Sequence, residues 1–127
     1  MTPSAYQPYQ PAKRPGGKPD TQPKWRVIVH RKHAPLWSQL ADKVGLRNAQ
    51  RAWDYLATRP NVAPAIGTST KLKGMGKYAR DGWSAPHHYE VSGAGRIDYQ
   101  YNPRYQATAN GDPHPVVRIV SINLDSH

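Results

Sequence analysis

Apolar and polar positions alternate along four segments of the chain, and this pattern predicts four strands. In residues 25–30, 87–91 and 96–101, apolar or aromatic residues fall on every second position, as in a strand with one face against a core. Residues 116–124 are rich in β-branched side chains, which is typical of a central strand. Residues 92–95 contain two glycines and predict a hairpin turn between the second and third strands.

A different spacing predicts two helices between the first and second strands. Apolar residues recur at i, i+3 and i+4 from Leu36 to Val44, and again from Ala49 to Leu56. Pro35 suits the first turn of the first helix, and Gly45 suits its end. The short connection at Gly45 indicates that the two helices form a hairpin.

The order of these elements predicts an α+β fold. It consists of an N-terminal strand, a helical hairpin and then an antiparallel sheet of three further strands, formed by residues 25–127. Residues 1–24 contain six prolines and show no apolar period, so we predict a disordered, basic, proline-rich arm. Four residues of the last strand are expected to share one face: Val116, Val120, Ile122 and Leu124.

The composition favours a polyanionic partner. Lysine and arginine number 18 against 8 acidic residues, which gives a net charge of +10. Nucleic acid, an anionic surface or an acidic protein would match this charge. The absence of cysteine excludes disulfides and thiolate metal sites. No apolar run approaches the roughly 18 residues of a membrane span, and we expect a cytoplasmic protein without a membrane partner.

Three short motifs follow one another in the middle of the chain. They are Lys-Leu-Lys-Gly at 71–74, Gly-Trp-Ser at 82–84 and Arg-Ile-Asp-Tyr at 96–99. Their order resembles the central hairpin of the RelE/ParE-like toxins, and most of all that of the YoeB branch. Since the predicted strands and helices also match the element order of that fold, the resemblance extends over residues 25–127.

The resemblance implies a toxin of a type II toxin–antitoxin system. Such a toxin is an endoribonuclease that cleaves mRNA on the ribosome, without a metal ion or another cofactor, and thereby inhibits translation. The 2′-hydroxyl attacks the scissile phosphate. The implied partners are a cognate antitoxin protein, the mRNA and the ribosome.

This reaction needs a base, a positive charge at the phosphate and an acid for the leaving oxygen. By resemblance, Arg96 matches the arginine that stabilises the phosphate, and His127 matches a near-terminal histidine that acts as acid or base. The hairpin brings further groups of the same kind into one region. Glu90 or a histidine would replace the glutamate of the YoeB branch, since residues 68–70 contain no acid. The candidate hairpin residues are His87, His88, Glu90, Arg96 and Asp98.

A second set of residues is expected to bind the RNA. Lys71 and Lys73 match the basic pair of the family motif and would neutralise phosphates. Trp83 matches an aromatic residue of the motif, which either stacks on a base or lies in the core. The whole expected set is Lys71, Lys73, Lys77, Arg80, Trp83 and Tyr89.

Two other functions fit the same sequence. A ParE-like inhibitor of DNA gyrase would use the fold without nuclease activity, and a non-catalytic RNA-binding module would use only the basic charge. The histidines and lysines of the hairpin favour the nuclease over the gyrase inhibitor. The six histidines lack the HExxH-type spacing of a metal site, so no metal is expected.

Overall fold

A computed structural model describes residues 8–19, 22–61, 69–71, 82–92, 95–106 and 111–124. Six strands in these residues form one sheet, in the order β1-β2-β6-β5-β4-β3. The strands are β1 (Tyr9–Pro11), β2 (Arg26–His30), β3 (Ser69–Lys71), β4 (His87–Ser92), β5 (Gly95–Tyr105) and β6 (His114–Asn123). Strands β2 and β6 are parallel and all other neighbours are antiparallel, so the sheet is mixed. The fold is α+β, as predicted, but the sheet is larger than expected.

The helices lie between β2 and β3, and the first of the two predicted helices is divided into shorter ones. A 3-10 turn at Arg31–His33 leads into α1 (Ala34–Ser38), α2 (Leu40–Val44) and α3 (Leu46–Thr58). The predicted first helix is therefore divided into α1 and α2, whereas the second is α3. Gly45 joins α2 to α3 with a φ of 92°, which residues with a Cβ rarely adopt. No helix in the described residues is long and apolar enough to span a membrane.

The main core lies between α3 and one face of the sheet. Helix α3 contributes a stripe of buried residues from Ala49 to Ala57, at the spacing that the sequence predicted. Each large apolar side chain in such a core stabilises the fold by about 1.5–3 kcal/mol. The sheet residues of this core are Val27, Val29, Tyr89, Val91, Ile97, Tyr99, Val117, Ile119 and Ile122.

The face predicted for β6 is wrong, because the strand contains a bulge. Val117, Ile119 and Ile122 all face the main core. Ile119 follows Val117 by two residues, as in a regular strand, but Ile122 follows Ile119 by three. Val120 has no partner in the pairing with β5 and is an extra residue. The residues after it therefore point to the opposite face from the one that regular alternation would give them. Val116 lies on the other face, in a second apolar cluster.

The prediction of a disordered arm is wrong for residues 8–19. Strand β1 pairs with β2 at the edge of the sheet. The indole of Trp37 donates a hydrogen bond to the carbonyl oxygen of Lys13 at 3.0 Å, and that of Trp53 donates to Ala12 at 2.8 Å. Because a buried indole N–H requires an acceptor, this segment completes the core. Its proline content is compatible with an edge strand.

Arg14→Ala tests whether the N-terminal segment contributes to stability. Arg14 donates two hydrogen bonds to the carboxylate of Asp54 in α3, at 2.7 and 3.0 Å. We expect the free energy of unfolding to fall by about 1–2 kcal/mol, since a partly buried, two-point ion pair contributes more than an exposed one. Chemical denaturation measures this. The control Arg47→Ala, at an exposed position of α3, should change stability by less than about 0.5 kcal/mol. Equal effects would show that the ion pair contributes nothing specific.

Candidate active site

The sheet face opposite α3 has an apolar half and a polar half. In the apolar half, Ile28, Trp83 and Val116 form a small buried cluster. The polar half lies on β4, β5 and β6, where His88 is directly opposite Asp98, Glu90 is opposite Arg96, and Asp98 is opposite Ser121. Directly opposed residues share a face of the sheet. We call this group the polar cluster: His88, Glu90, Arg96, Asp98 and Ser121.

Asp98 lies at the centre of the polar cluster, with a side chain that is 14% exposed. The Ser121 hydroxyl donates a hydrogen bond to Asp98 Oδ2 at 2.8 Å. Asp98 Oδ1 is 3.5 Å from Arg96 Nε, at ion-pair distance but without a hydrogen bond. Both of these atoms are buried and have no hydrogen-bond partner among the described residues. An unmade buried hydrogen bond costs free energy, so these two atoms lower the stability of this part of the fold.

The imidazole of His88 lies between two carboxylates. Its Nδ1 is 3.7 Å from Asp98 Oδ1, and its Nε2 is 3.7 Å from Glu90 Oε1. In its protonated form, the ring would face a negative charge with each nitrogen. The side chain of Glu90 is 57% exposed, whereas that of Asp98 is mostly covered.

His33, which sequence reasoning did not select, lies in the 3-10 turn after β2. His30 ends β2, and its Nδ1 accepts a hydrogen bond from the backbone N–H of Lys32 at 3.1 Å, which begins the 3-10 turn. The rings of His30 and His33 are 6.3 Å apart. Burial and the charges of His30 and Lys32 lower the pKa of His33, whereas the Asp98 carboxylate raises it. The signal in the sequence was a histidine at the end of a predicted strand and a second one three residues later.

Arg96 and Glu90 lie together, as the hairpin predicted, but His87 does not join them. The ring of His87 stacks on Tyr99 at 5.6 Å and packs against Tyr101 at 5.4 Å. Its Nδ1 lies 2.9 Å from the carbonyl oxygen of Ala85. His87 and His88 are neighbours in β4, so their side chains point to opposite faces of the sheet. Arg96 shares the face of His88, and the expectation that His87 and Arg96 share a site is therefore wrong.

Trp83 and Tyr89 are packing residues in this structure. Tyr89 is 2% exposed and stacks on Tyr55 in the main core, and burial raises the pKa of its phenol. Trp83 is 9% exposed, and the guanidinium of Arg118 lies 4.0 Å from its ring centroid. Since both rings are covered, neither can stack on an RNA base as expected. For Trp83, the alternative of a core position is confirmed.

Most of the predicted basic residues cannot be placed. Lys73, Lys77, Arg80 and His127 lie outside the described residues. The backbone of Lys71 pairs with that of His87 at the edge of the sheet. Their roles in binding or catalysis stay predictions.

The polar cluster is separate from a groove on the surface of the described residues. A groove of about 490 Å³ lies between the N-terminal segment and the beginnings of β2 and β6, and its walls include Trp25, Arg26, Trp53 and His114 but no residue of the polar cluster. No group of three or more acidic or histidine side chains in the described residues is arranged to hold a metal ion. In comparisons with known proteins, no family model, curated protein or solved structure matches the chain.

Asp98→Asn should lower the pKa of His33 further. The Asp98 carboxylate raises this pKa by favouring the charged imidazole, and the amide removes that interaction. An NMR titration of the His33 ring protons measures the change. Asp112→Asn neutralises an exposed carboxylate outside the polar cluster and should leave the His33 pKa as it is. An unchanged His33 pKa in Asp98→Asn would place this histidine away from the polar cluster.

Proposed function

We propose that the chain is a toxin of the RelE/ParE-like type, closest to the YoeB branch, and that it cleaves mRNA on the ribosome without a metal ion. The supporting observation is the polar cluster, in which contacts of 3.5–3.7 Å join Arg96, Asp98, His88 and Glu90 on the sheet face opposite α3. Phosphodiester cleavage uses a cation and a proton donor at one phosphate. The net charge of +10 supports a polyanionic substrate.

Arg96 and His88 have complementary roles in this proposal. The Arg96 side chain is 39% exposed, so its guanidinium can reach a phosphate and offset the charge of the phosphorane. The 2′-oxygen attacks phosphorus, the bond from phosphorus to the 5′-oxygen breaks, and His88 protonates that oxygen. The products are a 2′,3′-cyclic phosphate and a 5′-hydroxyl. Glu90 and Asp98 hold the His88 ring in place for proton transfer.

The proposed partners follow from the resemblance. A cognate antitoxin would hold the toxin inactive, and the ribosome would present the mRNA. An RNA that the ribosome already holds in place would need no metal ion at the scissile phosphate, because Arg96 supplies the positive charge.

Arg96→Ala tests the proposed charge stabilisation. Removal of a positioned donor to a developing negative charge typically costs a factor of about 100 to 1,000 in rate. Purified protein should therefore cleave RNA that much more slowly, with or without ribosomes, and EDTA should leave the parental rate unchanged. The control is Arg104→Ala, an exposed arginine on the same strand. A similar loss in both variants, or loss of parental cleavage in EDTA, would argue against the proposal.

The identity of the acid is tested by two further variants. His88→Gln should slow cleavage by a factor of roughly 100 to 10,000, because it removes the proton donor. A chain that ends before His127 should cleave at nearly the parental rate. If the truncated chain loses activity and His88→Gln does not, then His127 is the acid, as the resemblance implied. Melting temperatures of both variants control for loss of the fold.

The same assays distinguish the alternatives. Growth arrest without RNA cleavage, together with inhibition of DNA supercoiling, would favour a ParE-like gyrase inhibitor. RNA binding that weakens steeply with salt, without cleavage or growth arrest, would favour a non-catalytic RNA-binding module.

A further inference from the structure

We propose that the groove beside Trp25 binds single-stranded nucleic acid, with a base against the indole and backbone phosphates at Lys24 and Arg26. The groove lies at the end of the sheet where β2 and β6 begin, and its volume of about 490 Å³ is in the range of ligand sites. No residue of the polar cluster lines it. The proposal therefore goes beyond the ribonuclease function and does not depend on it.

The Trp25 indole forms a wall of this groove, and its neighbours hold it in place. The backbone N–H groups of Lys24 and Trp25 both donate to the carbonyl oxygen of Ala57 at 2.8 Å, which fixes this segment to the C-terminal end of α3. The indole meets the ring of Tyr101 on β5 at 5.8 Å, with the two planes at 80°. Trp25 is half-buried, so part of the ring is packed and part is accessible to a ligand.

The other apolar walls offer few hydrogen-bonding groups. The indole N–H of Trp53 already donates to the carbonyl oxygen of Ala12 at 2.8 Å, so this ring contributes apolar surface to the groove. The prolines of the walls have no backbone N–H to donate. They are Pro11, Pro23 and Pro115. Such walls favour a flat, apolar ring over a ligand that requires many hydrogen bonds.

The fully charged side chains of the groove are both cationic. Lys24 and Arg26 are exposed, and no carboxylate lines the groove among the described residues. Cations that neutralise phosphates, next to an aromatic ring on which a base can stack, are what proteins use to bind single strands without sequence preference. An acidic peptide would match the charge alone, whereas a base also matches the aromatic wall. In a duplex the bases are already stacked and paired, so the ligand is a single strand.

The test of the aromatic wall is the affinity for a fluorescently labelled hexauridine RNA, measured by anisotropy. Trp25→Leu removes the ring and should weaken binding by a factor of about 5 to 150, as the loss of one stacked base does. Trp25→Tyr keeps an aromatic ring and should keep most of the affinity. Melting temperatures of both variants control for loss of the fold. Parental affinity in folded Trp25→Leu would overturn the proposal.

The test of the cations is the salt dependence of the same binding. Lys24→Gln should reduce the slope of log affinity against log salt concentration by about 0.7, because one phosphate fewer is neutralised. The matched control is Lys32→Gln, an exposed lysine in the turn at the other end of β2, which should keep the parental slope. Equal slopes in the two variants would overturn the placement of the phosphates at this groove.

A second measurement uses the parental protein and does not depend on how well a variant folds. The NMR signals of the indole N–H groups separate the two candidate surfaces, because Trp25 lines the groove and Trp83 lies in the second apolar cluster. Hexauridine should shift the Trp25 signal and leave that of Trp83 unchanged. A shift at Trp83 alone, or no shift at all, would overturn the proposal. Tighter binding of a hexaglutamate peptide with the same Trp25 shift would also overturn it and assign the groove to an acidic peptide.

Discussion

The pairing of β6 with both β2 and β5 is the constraint on which the fold and the candidate site depend. Strand β6 runs parallel to β2 and antiparallel to β5, and it contributes to apolar clusters on both faces of the sheet. Its bulge at Val120 places Ser121, and not that valine, opposite Asp98. Without the bulge, a valine would face the carboxylate, and Asp98 Oδ2 would lose the donor at 2.8 Å. One extra residue therefore makes this part of the sheet polar.

The sequence predicted those elements whose apolar period is long enough to be recognised. Strands β2, β4, β5 and β6, and helix α3, agree with the predicted segments to within a few residues, because each carries an apolar pattern over five or more residues. Strands β1 and β3 have three residues each, which is too short for a period. Strand β1 is held by its pairing with β2, and the residues directly after it accept hydrogen bonds from Trp37 and Trp53. These contacts join distant parts of the chain, so no local pattern in the sequence indicates them.

The candidate site was predictable only where alternation along a strand decides the face. Arg96 and Glu90 were placed correctly because both lie on the hairpin. The choice between His87 and His88 also follows from alternation. Tyr89 is buried in the main core, and His87 lies on the same face of β4, so His88 is the histidine that lies on the face of the polar cluster. His33 was missed because it lies in a connection, where no period indicates a direction. Its position depends on the end of β2 and on the packing of His30 against Tyr9.

The charges of the polar cluster decide from which side an anion could approach it. One arginine against two carboxylates leaves a single negative charge when His88 is neutral, and this repels an anion. Arg118 does not compensate, since its guanidinium donates to Gln100 Oε1 at 3.0 and 2.8 Å and covers Trp83. The Arg96 side chain is 39% exposed, so an anion can approach the cluster on the side of this arginine. In the proposed ribonuclease, the phosphate must therefore lie next to Arg96 and away from the two carboxylates.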